Sequence, residues 1–268
     1  MTLIDGASLD CLSVRDRGLA YGDGVFRTLR VRGGQPVWWL DHYAKLAQDA
    51  AALYLPCPDA QDLLEDIARL SAGQDGVAKL VLTRGCGPRG YAPPVHPQVT
   101  RIATFDPLPA ETGESGVSDI NVRWCQLRLG QQPQLAGIKH LNRLENVLAR
   151  AEWQDPDIQE GLLCDDTNAV VSGVMGNLFI VNEGRLQTPD LTRCGVAGVA
   201  RGRILRAAHQ RGIDVEVTRI MPDAVLDADE VMLCNSVQGV RRIARLDDKT
   251  WSACGWADNL NAWLYEVD

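Results

Sequence analysis

The chain has 268 residues, 46% hydrophobic and 23% charged, with a formal net charge of −8. A length beyond the usual single domain of roughly 100 to 150 residues points to two domains, each with material for its own core. The acidic balance and the dispersed Lys and Arg count against nucleic acid or an anionic membrane as partner, since both are attracted by clustered positive charge.

Eight cysteines are spread evenly with no C-x-x-C, which counts against a zinc ribbon or a disulfide scaffold. Several lie in apolar runs such as "EGLLCDD" and "EVMLCNS", where a free thiol behaves as a small hydrophobe. A reducing, cytoplasmic setting is the expectation. The opening "MTLIDGASLDC" has neither a basic nor an apolar leader segment, and no apolar run approaches ~20 residues, so no export and no membrane span are expected.

"VFRTLRV" and "PVWWL" flank Gly33-Gly34, the pattern of a β-hairpin with a two-residue loop. "DHYAKLAQDAAALYL" has helical spacing with Asp41 at its start, and "DAQDLLEDIARL" reads as a second helix. Strands return in "GVAKLVLTR" and "VTRIATF". The segment "DPLPAETGESGVS" is rich in Pro, Gly, Ser and Glu and marks a connector. The expected organisation is an N-terminal domain over 1–106, a linker over 107–118 and a C-terminal domain over 119–268.

In "LAGIKHLNRLENVLARAE", Leu141, Leu144, Leu148 and Ala151 recur at helical steps and predict the buried stripe of an amphipathic helix. Asn142 and Glu145 have the spacing of a capping box, so the helix is expected to begin near Arg143. Lys139 then stands just ahead of it, after an apolar approach. Beyond come strands in "INVRWCQLRL", "EGLLCDD", "NLFIVNEGRL", "DVEVTRI" and "EVMLCNS", with helices in "ARGRILRAAHQRG" and "DNLNAWLYEV". The picture is α+β in the first half and a strand-rich, barrel-like or mixed α/β second half.

A lysine in a partly apolar setting can lose its proton near neutral pH, because burial penalises the ammonium more than the amine. The amine is a nucleophile toward aldehydes and the usual anchor of pyridoxal phosphate. The bland alternative for Lys139 is a loop lysine snorkelling to water. "GVAGVARGRIL" puts glycine at a helix start, where unpaired N–H groups favour an anion, although a plain connection would look the same. The loop "TRGCGPRGYAPP" carries Arg84, Arg89 and Tyr91, and guanidinium suits a carboxylate. The four histidines suggest no metal site.

Six segments, in order "RDRGLAYGDGVFRTLRV", "LVLTRGCGPRGY", "AGIKHLNRLENVLARAE", "VMGNLF", "GVAGVARGRIL" and "DEVMLCNS", together resemble the fold-type IV pyridoxal-phosphate enzymes. This is the family of branched-chain and D-amino-acid aminotransferases and aminodeoxychorismate lyase, and the lyase branch is the nearer match. The resemblance implies a two-domain α+β fold, with a smaller α/β N-terminal domain and a larger barrel-like C-terminal one. It implies pyridoxal 5'-phosphate as cofactor, a homodimer with sites near the domain junction, and a small-molecule substrate. The activity implied is conversion of 4-amino-4-deoxychorismate to 4-aminobenzoate and pyruvate, and transient contact with a chorismate-aminating enzyme is left open.

Residue by residue, the resemblance implies Lys139 as Schiff-base lysine and proton shuttle. Gly198, Val199 and Ala200 resemble the phosphate cradle, Asn235 and Ser236 its second group of donors, and Asn177 joins the cofactor set. Lys45 stands where most members have a phosphate-gripping arginine. Ser172 stands five residues before Asn177, where a glutamate usually pairs with the pyridine nitrogen. A hydroxyl cannot hold that proton as a carboxylate does, which counts against a transaminase. Asp165 or Asp166 could substitute if the alignment is off. Tyr21, Arg27, Arg84, Arg89 and Tyr91 are expected at the substrate. Rival expectations are an aminotransferase of the same fold and a non-catalytic cofactor binder.

Overall fold

A computed structural model describes residues 2–108 and 116–266, so most of the expected linker, 109–115, lies outside the described residues. The chain divides into two compact units, Met1–Gly113 with Ile138–Asn142, and Glu114–Gly137 with Arg143–Asp268. The short segment carrying Lys139 thus belongs to the first unit although it follows the expected linker.

The first unit contains β1 (Thr2–Ile4), β2 (Ala7–Ser8), α1 (Arg17–Tyr21), β3 (Gly24–Arg32), β4 (Gln35–Pro36), α2 (Trp39–Ala52), α3 (Ala60–Ser71), β5 (Gly76–Thr83) and β6 (Thr100–Pro107). Its antiparallel sheet has the order β2-β1-β6-β5-β3-β4. From Val25 onward strand β3 alternates, with Val25, Arg27, Leu29 and Val31 on the buried face. Helix α2 turns His42, Leu46, Asp49 and Ala50 inward. Leu46 and Ala50 join Val25, Leu29, Leu80, Leu63 and Ile138 in one core. The predicted hairpin forms, with Gly33 and Gly34 both at positive φ. Its second strand is shorter than expected. Trp38 takes a left-handed conformation and Trp39 already begins α2, so "WWL" is not strand.

The second unit contains β7 (Ser118–Leu129), α4 (Leu144–Arg150), β8 (Glu160–Asp165), β9 (Val170–Gly173), β10 (Asn177–Asn182), β11 (Arg185–Pro189), α5 (Val199–Gln210), β12 (Val215–Thr218), α6 (Pro222–Leu226), β13 (Glu230–Asn235), β14 (Gly239–Leu246), β15 (Lys249–Thr250) and α7 (Trp256–Glu266). The sheet runs β12-β11-β10-β13-β14-β7-β8-β9, with β15 paired to β14. Its two ends approach each other, because Val170 of β9 donates to the Ile220 carbonyl just past β12 at 2.8 Å. That bridge curls the sheet into the barrel-like form expected, and the α+β fold class holds.

Helix α4 departs from its prediction. Leu144 and Leu148 are 74% and 60% exposed, and Ala149 is the helix's buried residue. The capping box does not form either. The Asn142 amide donates to the Gly22 carbonyl, the Glu145 carboxylate accepts from the Gly130 N–H, and Arg143 occupies the cap position. Periodicity located the helix and misassigned its apolar face, since spacing does not state which body covers that face. No helix among the described residues is long and apolar enough to cross a membrane.

Candidate functional site

In the first unit, Lys139 is half-buried beside β3. Its carbonyl accepts the Phe26 N–H at 3.0 Å, its N–H donates to Asp49 Oδ2 at 3.0 Å, and its Nζ lies 4.5 Å from the Phe26 ring centroid. The period of β3 puts Arg27 on the core face, where a guanidinium survives only with a partner of opposite charge. Asp49 is that partner, and it also takes the ammonium of Lys45 one turn earlier on α2. Burial lowers the pKa of Arg27 and of Lys45, and the Asp49 charge opposes both shifts. Arg27 is therefore not placed as the substrate-facing arginine expected: 3% exposed, it bonds Asp49 and the Lys45 carbonyl. Asp49 was missed by sequence reasoning, although its i,i+4 spacing from Lys45 was a legible signal.

The "RDRGLAYGDG" segment folds around buried Asp16. One of its oxygens caps α1 through the Gly18 N–H, and the other accepts from Thr83 and Thr100. Capping α1 aims Arg17, also missed, at the 84–92 loop, where it bonds the carbonyls of Gly90, Tyr91 and Ala92. Tyr21 reinforces the clamp, accepting from the Gly90 N–H and packing its ring 5.5 Å from that of Tyr91. The loop is thereby tied at its backbone while the Arg89 and Tyr91 side chains face solvent. Arg84 corrects another expectation. Its guanidinium is spent on Asp23 and on the carbonyls of Leu53 and Tyr54, leaving it a brace rather than a grip for substrate.

Burial by itself raises the pKa of Asp23, but bonds from Arg84 and Arg17 outweigh it and hold the carboxyl below its usual 3.8. A carboxylate with a folded pKa below its unfolded one contributes stability that is present above the unfolded value and lost as pH falls through the folded one. In urea denaturation, the wild-type advantage over Asp23→Asn is expected to hold at neutral pH and to shrink below pH 3.8. An advantage that stayed constant into acid would contradict this account.

In the second unit, three segments converge. Asn177 opens β10 and pairs with Cys234 of β13, so Asn235 and Ser236 follow directly beside it. The Asn177 side chain donates to the Val196 carbonyl at 2.8 Å and accepts the Gly198 N–H at 3.0 Å, tying the start of α5 to the same place. Arg201, in the first turn of α5, fixes that end to β11 through Thr188 and the Pro189 carbonyl. Helix α5 begins without a side-chain cap and without an acidic residue in its first turn. The N–H groups of Val199 and Ala200 have no acceptor within the helix, and the dipole adds positive potential there. A Cβ on Gly198 would stand 2.4 Å from Asn177 Oδ1, so glycine is required by space. The arrangement suits a phosphate monoester. The Asn235 side chain is engaged locally, its Oδ1 accepting from Val237 and Gln238, so its part is to shape the turn that presents Ser236.

Ser172 is buried in β9 opposite Leu163 of β8. Neither proposed substitute is free to replace it. Asp165 closes the β8–β9 turn by accepting from Thr167, Ala169 and Gln131, and Asp166 is exposed. Sequence reasoning also missed the fully buried Glu160, which pairs with Arg241 at 3.1 Å and holds the Met175 N–H before β10.

The family described as amino-transferase class IV matches residues 24–246, from the first residue of β3 to the last of β14. An aminodeoxychorismate lyase of Vibrio harveyi is 36% identical over 247 residues, 91% of this chain and 90% of its own. A D-alanine aminotransferase of Bacillus licheniformis is 26% identical over 248 residues, 89% of this chain and 84% of its own. The crystal structure of 4-amino-4-deoxychorismate lyase from Pseudomonas aeruginosa is 44% identical, covers 98% of both chains and superposes with a TM-score of 0.90. The family match spans the strands of both units: the chain belongs to the class IV amino-transferase family.

Proposed function

We propose that this chain is a pyridoxal 5'-phosphate-dependent lyase that converts 4-amino-4-deoxychorismate to 4-aminobenzoate and pyruvate. The likeness to the Pseudomonas aeruginosa lyase over nearly the whole of both chains carries the reading. The residues fit the cofactor. The start of α5, with Gly198, Val199, Ala200 and Ser236, would hold its phosphate, Lys45 would add a cation, and Lys139 would hold its aldehyde carbon. When bound, the cofactor supplies a conjugated ring that accepts the electron density left behind when a proton departs.

With its amine set free by the substrate's own, Lys139 Nζ would be the base, taking the ring C–H proton beside that substrate amine while the enolpyruvyl group leaves as enolpyruvate, which gains a proton to become pyruvate, and aromaticity forms. Arg89 and Tyr91, presented by the clamped loop, hold substrate carboxylates. Ser172, in place of a carboxylate, would hold a proton on the cofactor's ring nitrogen less firmly, which disfavours transamination. Incubation of the purified protein with cofactor and 4-amino-4-deoxychorismate should release 4-aminobenzoate and pyruvate in equal amounts. Amino transfer from D-alanine or a branched-chain donor to 2-oxoglutarate, with no 4-aminobenzoate formed, would overturn the reading. A visible cofactor band with neither product would point to a non-catalytic binder.

The same proposal includes a cytoplasmic homodimer that can meet a chorismate-aminating enzyme, the supplier of its substrate. All eight cysteines are free thiols, in keeping with that setting. Leu144, Val147 and Leu148 on α4 are exposed, as is Met175, which follows a residue bonded to Asn146 of the same helix. An apolar patch of this kind is the mark of a protein interface. Leu148→Glu is expected to convert the dimer to monomer in size-exclusion chromatography with light scattering, and an unchanged mass would place the interface elsewhere.

A further inference from the structure

We propose that Asp49 is a positioning residue that locks the cofactor-side cation Lys45 and the backbone of Lys139 into one register. The inference rests on the roles proposed above for those two lysines. Asp49 is 1% exposed and lies on the inward face of α2. Its Oδ1 takes the Lys45 ammonium, and its Oδ2 takes both the Arg27 guanidinium and the Lys139 N–H. Lys139 is thus held from two sides, by α2 through this carboxylate and by β3 through the Phe26 N–H on its carbonyl. Arg27, donating in addition to the Lys45 carbonyl, ties the same turn of α2 to β3.

A carboxylate offers acceptors on both oxygens, and all three groups facing Asp49 are donors. An asparagine of the same shape would turn its NH2 toward one of them, donor against donor. Charge and geometry make opposite predictions. The cluster of two cations and one anion carries one net positive charge, so if Asp49 merely tempered charge, Asp49→Asn would tighten the binding of an anionic ligand. If it positions, Asp49→Asn loosens it.

The test measures uptake of pyridoxal 5'-phosphate and of pyridoxal by equilibrium dialysis for wild type, Asp49→Asn, Asp49→Glu, Lys45→Met and the double variant Lys45→Met/Asp49→Asn, each first shown to be folded by circular dichroism. Asp49→Asn is expected to weaken pyridoxal phosphate by about tenfold or more, the equivalent of one lost charge-assisted hydrogen bond. It should also lower the preference for the phosphate over pyridoxal, and that preference should no longer respond to Asp49→Asn once Lys45 is methionine. Asp49→Glu keeps the charge and displaces it by one methylene, so a loss there reads geometry alone and carries the test if the asparagine variant does not fold. Wild-type uptake with undiminished affinity in both Asp49 variants overturns this inference alone. Failure of the wild type to take up pyridoxal phosphate overturns the functional reading and this inference with it.

Discussion

Lys139→Ala is expected to abolish the visible absorbance of bound cofactor and to cut release of 4-aminobenzoate by on the order of 10²–10⁴-fold, the contribution of a positioned general base. The side chain carries two duties in the proposal, covalent anchor and proton acceptor, and alanine removes both. The fold has little reason to suffer. The bonds that seat this residue, from its N–H to Asp49 and from the Phe26 N–H to its carbonyl, belong to the backbone and survive the change. Circular dichroism should therefore overlay on wild type while the absorbance spectrum does not. A variant that kept both its visible band and its turnover would remove Lys139 from the chemistry and leave the snorkelling lysine as the better account.

Gly198→Val has the next largest expected effect, and it acts in the other unit. The backbone of Gly198 is ordinary, with φ at −74°, so the substitution strains no torsion. It fails for want of space, because the new Cβ would meet Asn177 Oδ1 at 2.4 Å. Asn177 cannot simply step aside, since its two ends hold the Gly198 N–H and the Val196 carbonyl. Relief of the overlap costs one or both bonds, at about 1–3 kcal/mol for each buried group left unsatisfied. It also shifts the first turn of α5, whose N–H groups must point together to hold a phosphate. Affinity for pyridoxal 5'-phosphate should drop by roughly 10- to 100-fold at about 1.4 kcal/mol per decade. Affinity for pyridoxal, which lacks the phosphate, should change much less. Equal losses for the two ligands would mean that α5 does not receive the phosphate.

Much of what surrounds these residues was legible because its cause is local. The Gly33-Gly34 pair can take the positive φ a two-residue hairpin loop needs, and a glycine with no capping side chain ahead of a helix leaves unpaired N–H groups at its end whatever the rest of the chain does. The arginines were harder. Arg27, Arg84 and Arg89 are one residue type, and although the alternation of β3 turns Arg27 inward, nothing close in the sequence names a partner for any of them. One is buried on a strand's core face against Asp49, one braces Asp23 and two carbonyls, and one reaches solvent. The difference lies in partners 22 and 61 positions away, beyond the reach of any spacing rule. The leucines of α4 failed for a related reason, because amphipathic spacing marks an apolar face without saying whether the same chain covers it.

The sequence by itself determined the place of Lys139 just ahead of α4, the glycine at the head of α5, the alternation that makes β3 and the helical period of α2, since each follows from side-chain chemistry within a few residues. Only the tertiary structure decided which charges are spent and which remain available, and that Asp49 joins a helix, a strand and the Lys139 segment. Pairing buried charges is a problem solved between distant parts of the chain, because a carboxylate taken out of water must find its cations wherever the fold brings them.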